Sequence, residues 1–176
     1  GKAIRPWIDI VEDVRTRVVW MTIIDAASDS EAVVATFAEA TLGREMPDGT
    51  FVGGIAGIWK TDRGRDYIAK DTRDVAARLG GTQVVCESHA PYQKGPVESA
   101  IRILIRHIAI ENPGRVRRTS FGQRLPWHEE DGPLLLFEEF CDRAFTKLDW
   151  YLTERIHQAL GRTPLEEWKA CTDPIY

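Results

Sequence analysis

Apolar positions along this chain follow two spacings, every second residue in some stretches and every third or fourth in others, and the switches between them lay out its elements. From Pro6 to Val14 and from Arg17 to Asp25 the chain is rich in Ile, Val and Trp, with the polar step Arg15-Thr16 between the two runs. Such short, β-branched stretches predict two strands joined as a hairpin. Ser28 and Glu31 then form a capping box ahead of a helix with Val33, Val34, Phe37 and Ala40 on its apolar side, and Gly43 supplies its stop. Pro47, Gly49, Gly53 and Gly54 mark a loop, after which Ile55 to Lys60 reads as a short apolar strand delivering Thr61 and Asp62 at its end.

Beyond a turn at Gly64, Lys70 to Leu79 has the composition of a helix, with Val75, Ala76 and Leu79 on one face and Gly80-Gly81 as its stop. Thr82 to Cys86 predicts another brief strand. His89 to Gly95 holds turn formers without periodicity and is expected to be an exposed, mobile loop. Pro96 suits the first turn of a helix whose apolar residues Val97, Ile101, Leu104, Ile105 and Ile108 keep helical spacing. Asn112 to Gly132 is irregular. From Pro133 a long helix is expected to reach Gly161, its stripe drawn by Phe137, Cys141, Ala144, Leu148, Leu152, Ile156 and Ala159. Thr163-Pro164-Leu165-Glu166 is a capping-box start for a last short helix through Trp168. The order predicts an α/β sandwich with a C-terminal helical extension: residues 1–111 form the core, 112–132 an irregular basic-to-acidic linker, and 133–176 the extension.

Composition narrows the classes. An apolar fraction of 43% in 176 residues suits one soluble domain, or one domain with an appendage, and no apolar run is long enough to span a membrane. Cys86, Cys141 and Cys171 lie far apart, so neither a zinc site nor a disulfide framework is written locally, and a reduced, cytoplasmic protein is expected. A net charge of −4 argues against nucleic-acid binding over the whole surface. Charge is segregated, however. Arg102, Arg106, Arg115, Arg117, Arg118 and Arg124 face only Glu111 in their segment, and Glu129, Glu130, Asp131, Glu138, Glu139 and Asp142 follow.

Two acids stand where rigid elements begin or end: Asp62 after a strand and Glu98 in the first turn of an amphipathic helix. The positive end of a helix favours the ionised form of Glu98, the form a hard divalent cation requires. Turn and capping preferences also put acids at such places, so position alone leaves a structural role open. His128 beside Glu129, Glu130 and Asp131 reads as a solvated acidic loop, and His157 as a surface or partner contact on the long helix. Ser88 and Ser120 lack the partners of a serine hydrolase.

The stretch Thr61-Asp62-Arg63-Gly64-Arg65-Asp66-Tyr67, followed by Pro91-Tyr92-Gln93-Lys94-Gly95-Pro96-Val97-Glu98, resembles the second and third catalytic motifs of integrase-like DDE transposases. The separation of about thirty-five residues between Asp62 and Glu98 is typical of that superfamily. Ile4-Arg5-Pro6 and Asp13-Val14-Arg15-Thr16-Arg17 are similar to phage Mu transposase and its bacterial relatives, and the segments 155–161 and 163–168 resemble the helical region after the core of insertion-sequence transposases. The resemblance implies a ribonuclease-H-like core, a mixed sheet flanked by helices, that cleaves transposon 3′ ends and joins them to target DNA as a homo-oligomer. It implies Asp62 and Glu98 as ligands of two magnesium or manganese ions, Tyr92, Gln93 and Lys94 in a loop approaching DNA, and Arg102 as a DNA-contacting cation. Arg106, Arg115, Arg117 and Arg118 are expected to bind phosphates. Arg63 and Ser99 depart from the family's usual Asn and Arg at those places.

The family's first aspartate sits on a central strand that precedes the two strands predicted here. Asp13 matches the hairpin turn and Asp25 the end of a strand, and Asp9 is the internal alternative. The resemblance therefore places the first acid upstream of residue 1 and implies an inactive fragment, with a sheet incomplete, open at its centre, or filled by another chain. A nuclease of the same fold that does not join strands, and an inactive DNA-binding regulator, are the other readings.

Overall fold

In the computed structural model of the chain, residues 5–25, 29–61, 70–87, 95–110 and 133–171 are described. Strand β1 (Trp7–Glu12) pairs antiparallel with β2 (Val19–Ile24), from Trp7 opposite Ile24 to Glu12 opposite Val19. The turn between them is built by Asp13, whose carboxylate accepts from the Thr16 amide at 2.7 Å and the Thr16 hydroxyl at 2.6 Å. Arg17 completes the turn in the left-handed region at φ 64, an uncommon conformation for a residue with a side chain. Asp13 is thus committed to the turn, as its sequence position implied.

Helix α1 (Ser30–Leu42) buries Ala32, Val33, Thr36, Phe37 and Ala40 and packs on β1 and β2. Its cap differs from the expected capping box. Asp29 is the N-cap and accepts from the Ala32 amide at 3.0 Å, while Ser28 lies outside the described residues. The region read as a loop contains a small hairpin, β3 (Arg44–Glu45) with β4 (Phe51–Val52). Gly43 and Gly53 pass so closely behind it that a Cβ on Gly53 would lie 2.3 Å from the Gly43 Cα.

Strand β5 (Ile58–Thr61) pairs in parallel with β6 (Thr82–Val85), and helix α2 (Lys70–Arg78) lies between them in the chain. The strand expected from Ile55 begins at Ile58, because pairing starts where the Thr82 amide reaches the Gly57 carbonyl at 2.9 Å. Trp59 stacks on Phe37 of α1 with ring centroids 4.3 Å apart, tying β5 to the layer that covers β1 and β2. Helix α3 (Gly95–Ile110) buries Ala100, Leu104 and Ile108, a four-residue spacing that lays one face on β1 and on helix α4 (Phe137–Thr153). Helix α4 in turn buries Ala144, Leu148, Tyr151 and Leu152.

The long helix expected to reach Gly161 stops at Thr153. The Trp150 carbonyl accepts from both the Glu154 and Arg155 amides, His157 then pairs with Arg162 in a tight turn, and Gly161 takes φ 69. Ile156 continues the apolar stripe in sequence but is 65% exposed, so no packing rewards another turn of helix. Helix α5 (Pro164–Ala170) has the expected capping box: the Thr163 amide donates to Glu166 at 2.8 Å, and the Glu166 amide donates to the Thr163 hydroxyl at 3.2 Å. Trp168 of α5 meets Trp20 edge-on and donates from Nε1 to the Phe51 carbonyl at 3.0 Å, fastening the C-terminal helices to the hairpin β3–β4.

Among the described residues no strand joins β1 to β5. The strands form three two-stranded ladders, β1–β2, β3–β4 and β5–β6, and the sheet is open between its antiparallel and parallel halves.

Candidate functional site

Strand β5 ends at Thr61, whose position is doubly fixed. Its carbonyl accepts from the Cys86 amide at 2.8 Å, and its hydroxyl accepts from the Gln83 side-chain amide at 2.9 Å. The next residue in sequence, Asp62, lies outside the described residues, as do Tyr92, Gln93, Lys94, Arg115, Arg117 and Arg118. Glu98 is described: it is exposed on the first turn of α3, where unpaired backbone amides favour a carboxylate.

Thr61 and Glu98 line the same cavity, a space of about 870 Å³ between β1, β5, α1 and α3. Among the described residues, three acids line it: Glu12, Asp13 and Glu98. Asp13 is engaged by Thr16. Glu12 is nearly sealed, its side chain 2% exposed, and its only described ionic partner is Arg17 at 3.6 Å. Burial pushes the Glu12 carboxyl up to about 7, with Arg17 opposing the shift, so near neutral pH it carries a proton much of the time. A half-protonated, sealed carboxyl is a poor ligand for a hard cation, whereas the exposed Glu98 oxygens suit one.

Arg102 and Arg106 follow Glu98 at one and two turns along α3, and both are exposed. The helix thus presents a carboxylate and then two guanidinium groups in a row. Asp9 lies elsewhere. It is buried in β1 opposite Thr22, accepts from the Trp7 indole at 3.4 Å, and is not among the residues lining the cavity with Glu98. Among the described residues no group of three or more His, Cys, Asp or Glu side chains is placed to hold a metal ion.

One feature escaped the sequence reading. Glu12 and Arg17 of the first hairpin share a buried polar cluster with Tyr151, Arg155 and His157. The Arg155 guanidinium sits 5.4 Å over the Tyr151 ring. Burial, with Glu12 adding to it, pushes the Tyr151 hydroxyl up to about 12, and burial holds His157 below the ordinary imidazole range. His157 is therefore half-buried in the turn after α4 and is no surface residue of a longer helix. The left-handed turn at Arg17 and the end of α4 create this cluster, and neither is visible as a periodicity.

No protein-family model and no curated protein matches this sequence. Solved structures do match. A chain of the simian T-cell lymphotropic virus intasome, in complex with the PP2A regulatory subunit B56 gamma, superposes with a TM-score of 0.64 at 15% identity over 98% of this chain. This chain spans about half of that one, 53% of its length. The catalytic core domain of BIV integrase gives 0.60 at 16% identity, covering 93% of this chain and 85% of the core. The HTLV-2 integrase catalytic core, in a trimeric form in complex with magnesium, gives 0.59 at 12% identity, covering 93% and 90%. The fold is therefore the ribonuclease-H-like fold of retroviral integrase catalytic cores. Among the described residues no helix is long and apolar enough to cross a membrane.

Proposed function

We propose that this chain is part of the catalytic core of a DDE-type DNA transposase, with Asp62 and Glu98 as two of its metal-binding carboxylates. The observation that carries the reading is the convergence of the end of β5 and the first turn of α3 on one cavity: Thr61, directly before Asp62, and Glu98 both line it. Two carboxylates on separate rigid elements are what a shared divalent-cation centre for phosphodiester chemistry requires. Magnesium or manganese, when bound, would supply charge stabilisation for the attacking and leaving oxygens.

The chain's own residues would hold and align the DNA. Glu98 contributes a hard oxygen ligand from a fixed helix turn, and Arg102 and Arg106 bind backbone phosphates along the same helix. Tyr92, Gln93 and Lys94 would approach the DNA end, and Arg115, Arg117 and Arg118 would add phosphate contacts. Water attacks first to free a 3′ end, and that 3′ hydroxyl then attacks target DNA, in a homo-oligomer that pairs two ends. In this reading residues 1–111 are the core, 112–132 a linker and 133–176 an extension.

The test incubates the full-length protein with manganese, supercoiled plasmid and a labelled duplex bearing a free 3′ hydroxyl. Label joined to plasmid, and lost in Asp62→Asn and Glu98→Gln variants, is the expected result. Nicking without joined label favours a nuclease of the same fold. A wild type that binds DNA without cutting favours a regulator, and activity unchanged in both variants rejects carboxylate-metal catalysis.

A further inference from the structure

Among the described residues, the charged side chains that line the cavity are Glu12, Asp13, Lys60 and Glu98. Asp13 is held by Thr16, and Glu12 is sealed beside Arg17. Lys60 and Glu98 differ from both. Each is exposed, and among the described residues neither has a hydrogen-bond or ion-pair partner, the other included. The cavity thus presents one free ammonium and one free carboxylate that do not neutralise each other.

The alternation of β5 explains where Lys60 stands. Trp59 and Thr61 are buried while Ile58 and Lys60 are exposed, the pattern of a strand with one covered face. Trp59 is drawn onto Phe37 of α1, so Lys60 takes the other side. It lies opposite Val84 in the β5–β6 ladder, and Ile58, Val84 and Ile101 line the same cavity. A cation flanked by apolar side chains in a recess is screened less than one on a convex surface, which strengthens its pull on an entering anion. The ladder fixes the root of the side chain, and its four-carbon stem lets the ammonium reach across the recess.

Two free charges of opposite sign suit a ligand that carries both. A lone divalent cation is attracted by Glu98 and repelled by Lys60, and a lone anion meets the reverse. A metal-bound phosphodiester satisfies both groups, because one non-bridging oxygen binds the cation and the other is left for a donor. We propose that Lys60 is a phosphate-binding residue of this site, its ammonium holding the free non-bridging oxygen of the DNA phosphate whose other oxygen binds the metal at Glu98. This assignment rests on the carboxylate-metal reading above and adds to it a contact from β5, separate from the arginines of α3. Lys60 gives and takes no proton; it orients the phosphate and offsets its charge.

The test measures binding of a short fluorescein-labelled duplex to the full-length protein by anisotropy, with and without calcium, a hard cation that takes oxygen ligands as magnesium does. Calcium is expected to tighten binding by the wild type. Lys60→Ala is expected to lose about tenfold of that gain, while its Mn²⁺ binding, followed by electron paramagnetic resonance, stays at the wild-type level. Lys60→Arg keeps the charge and is expected to keep most of the gain. The full gain retained in Lys60→Ala, Mn²⁺ binding lost in that variant, or an equal loss in Lys60→Arg overturns the proposal and leaves the metal reading standing. A wild type that binds Mn²⁺ but gains nothing from calcium has the same consequence. A wild type that binds no Mn²⁺ brings down the metal reading and this proposal together.

Discussion

Thr61, the last residue of β5, and Glu98, on the first turn of α3, line one cavity although 36 positions separate them in the chain. Their elements are held independently, β5 by its ladder with β6 and α3 by its packing on β1 and α4. A carboxylate at the start of α3 can therefore be changed without unsettling the strand. Glu98→Gln is expected to leave the urea unfolding midpoint unchanged, because Glu98 is exposed, while lowering DNA cleavage by about a hundredfold or more, the scale of losing metal charge stabilisation. A variant that loses activity and stability together would show a structural role instead.

Arg102 and Arg106 are exposed on the same helix, one and two turns past Glu98. If they neutralise phosphates, each arginine replaced by alanine is expected to flatten the dependence of log affinity on log salt by about 0.9 for duplex DNA. Binding of a short duplex measured between low and moderate salt checks this. An unchanged slope would remove both residues from the DNA interface.

Glu12 gives a pH dependence with a defined sign. Its carboxyl is raised by burial from 4.5 to about 7 in the fold, so the folded state holds the proton more tightly than the unfolded chain. Its favourable contribution is fully present below pH 4.5 and is lost as pH rises through 7. The full effect is on the order of 3 kcal/mol. His157 works in the opposite direction: lowered in the fold, it favours the folded state above its ordinary value of 6.5 and loses that contribution as pH falls below it. Arg17, Asp13, Tyr151 and Arg155 face the same cluster. Glu12→Gln is expected to flatten the stability profile between pH 5 and 8, measured by urea denaturation. A profile identical to wild type would contradict the assignment.

Gly53 is the position where backbone meets backbone. A Cβ there would stand 2.3 Å from the Gly43 Cα and 2.8 Å from the Gly43 nitrogen, neither of which can rotate away. Gly53→Ala is expected to cost about 2–3 kcal/mol, while Gly57→Ala, whose Cβ meets nothing within 4 Å, serves as the neutral control. Equal stability of the two variants would refute the close approach.

Much of the fold was legible in the chain. Strong periodicity announced β1, β2, α1, α3 and the start of α5, since those elements each bury one face and carry a cap or a turn residue at their ends. The early end of α4 was not legible, because the apolar stripe runs on through Ile156 and Ala159 while nothing in the fold buries them. The β3–β4 hairpin was hidden by its two-residue strands, too short to show alternation. Among the described residues no strand joins β1 to β5, the opening that the resemblance implied. Of the candidate site, Glu98, Arg102 and Arg106 are placed on one helix, while Asp62 and the residues from Tyr92 to Lys94 lie outside the described residues. The Glu12 cluster was missed because it depends on Arg17 adopting a left-handed turn, a conformation that sequence preferences assign to glycine or asparagine.

Manganese uptake followed by electron paramagnetic resonance tests the central claim most directly, since free ion gives a signal that binding broadens away. Wild-type chain is expected to bind Mn²⁺, each of Asp62→Asn and Glu98→Gln to lose most of that binding, and the double variant to lose little more, the non-additivity of two ligands on one ion. Binding equal to wild type in both single variants, or losses that simply add, would contradict a shared metal centre.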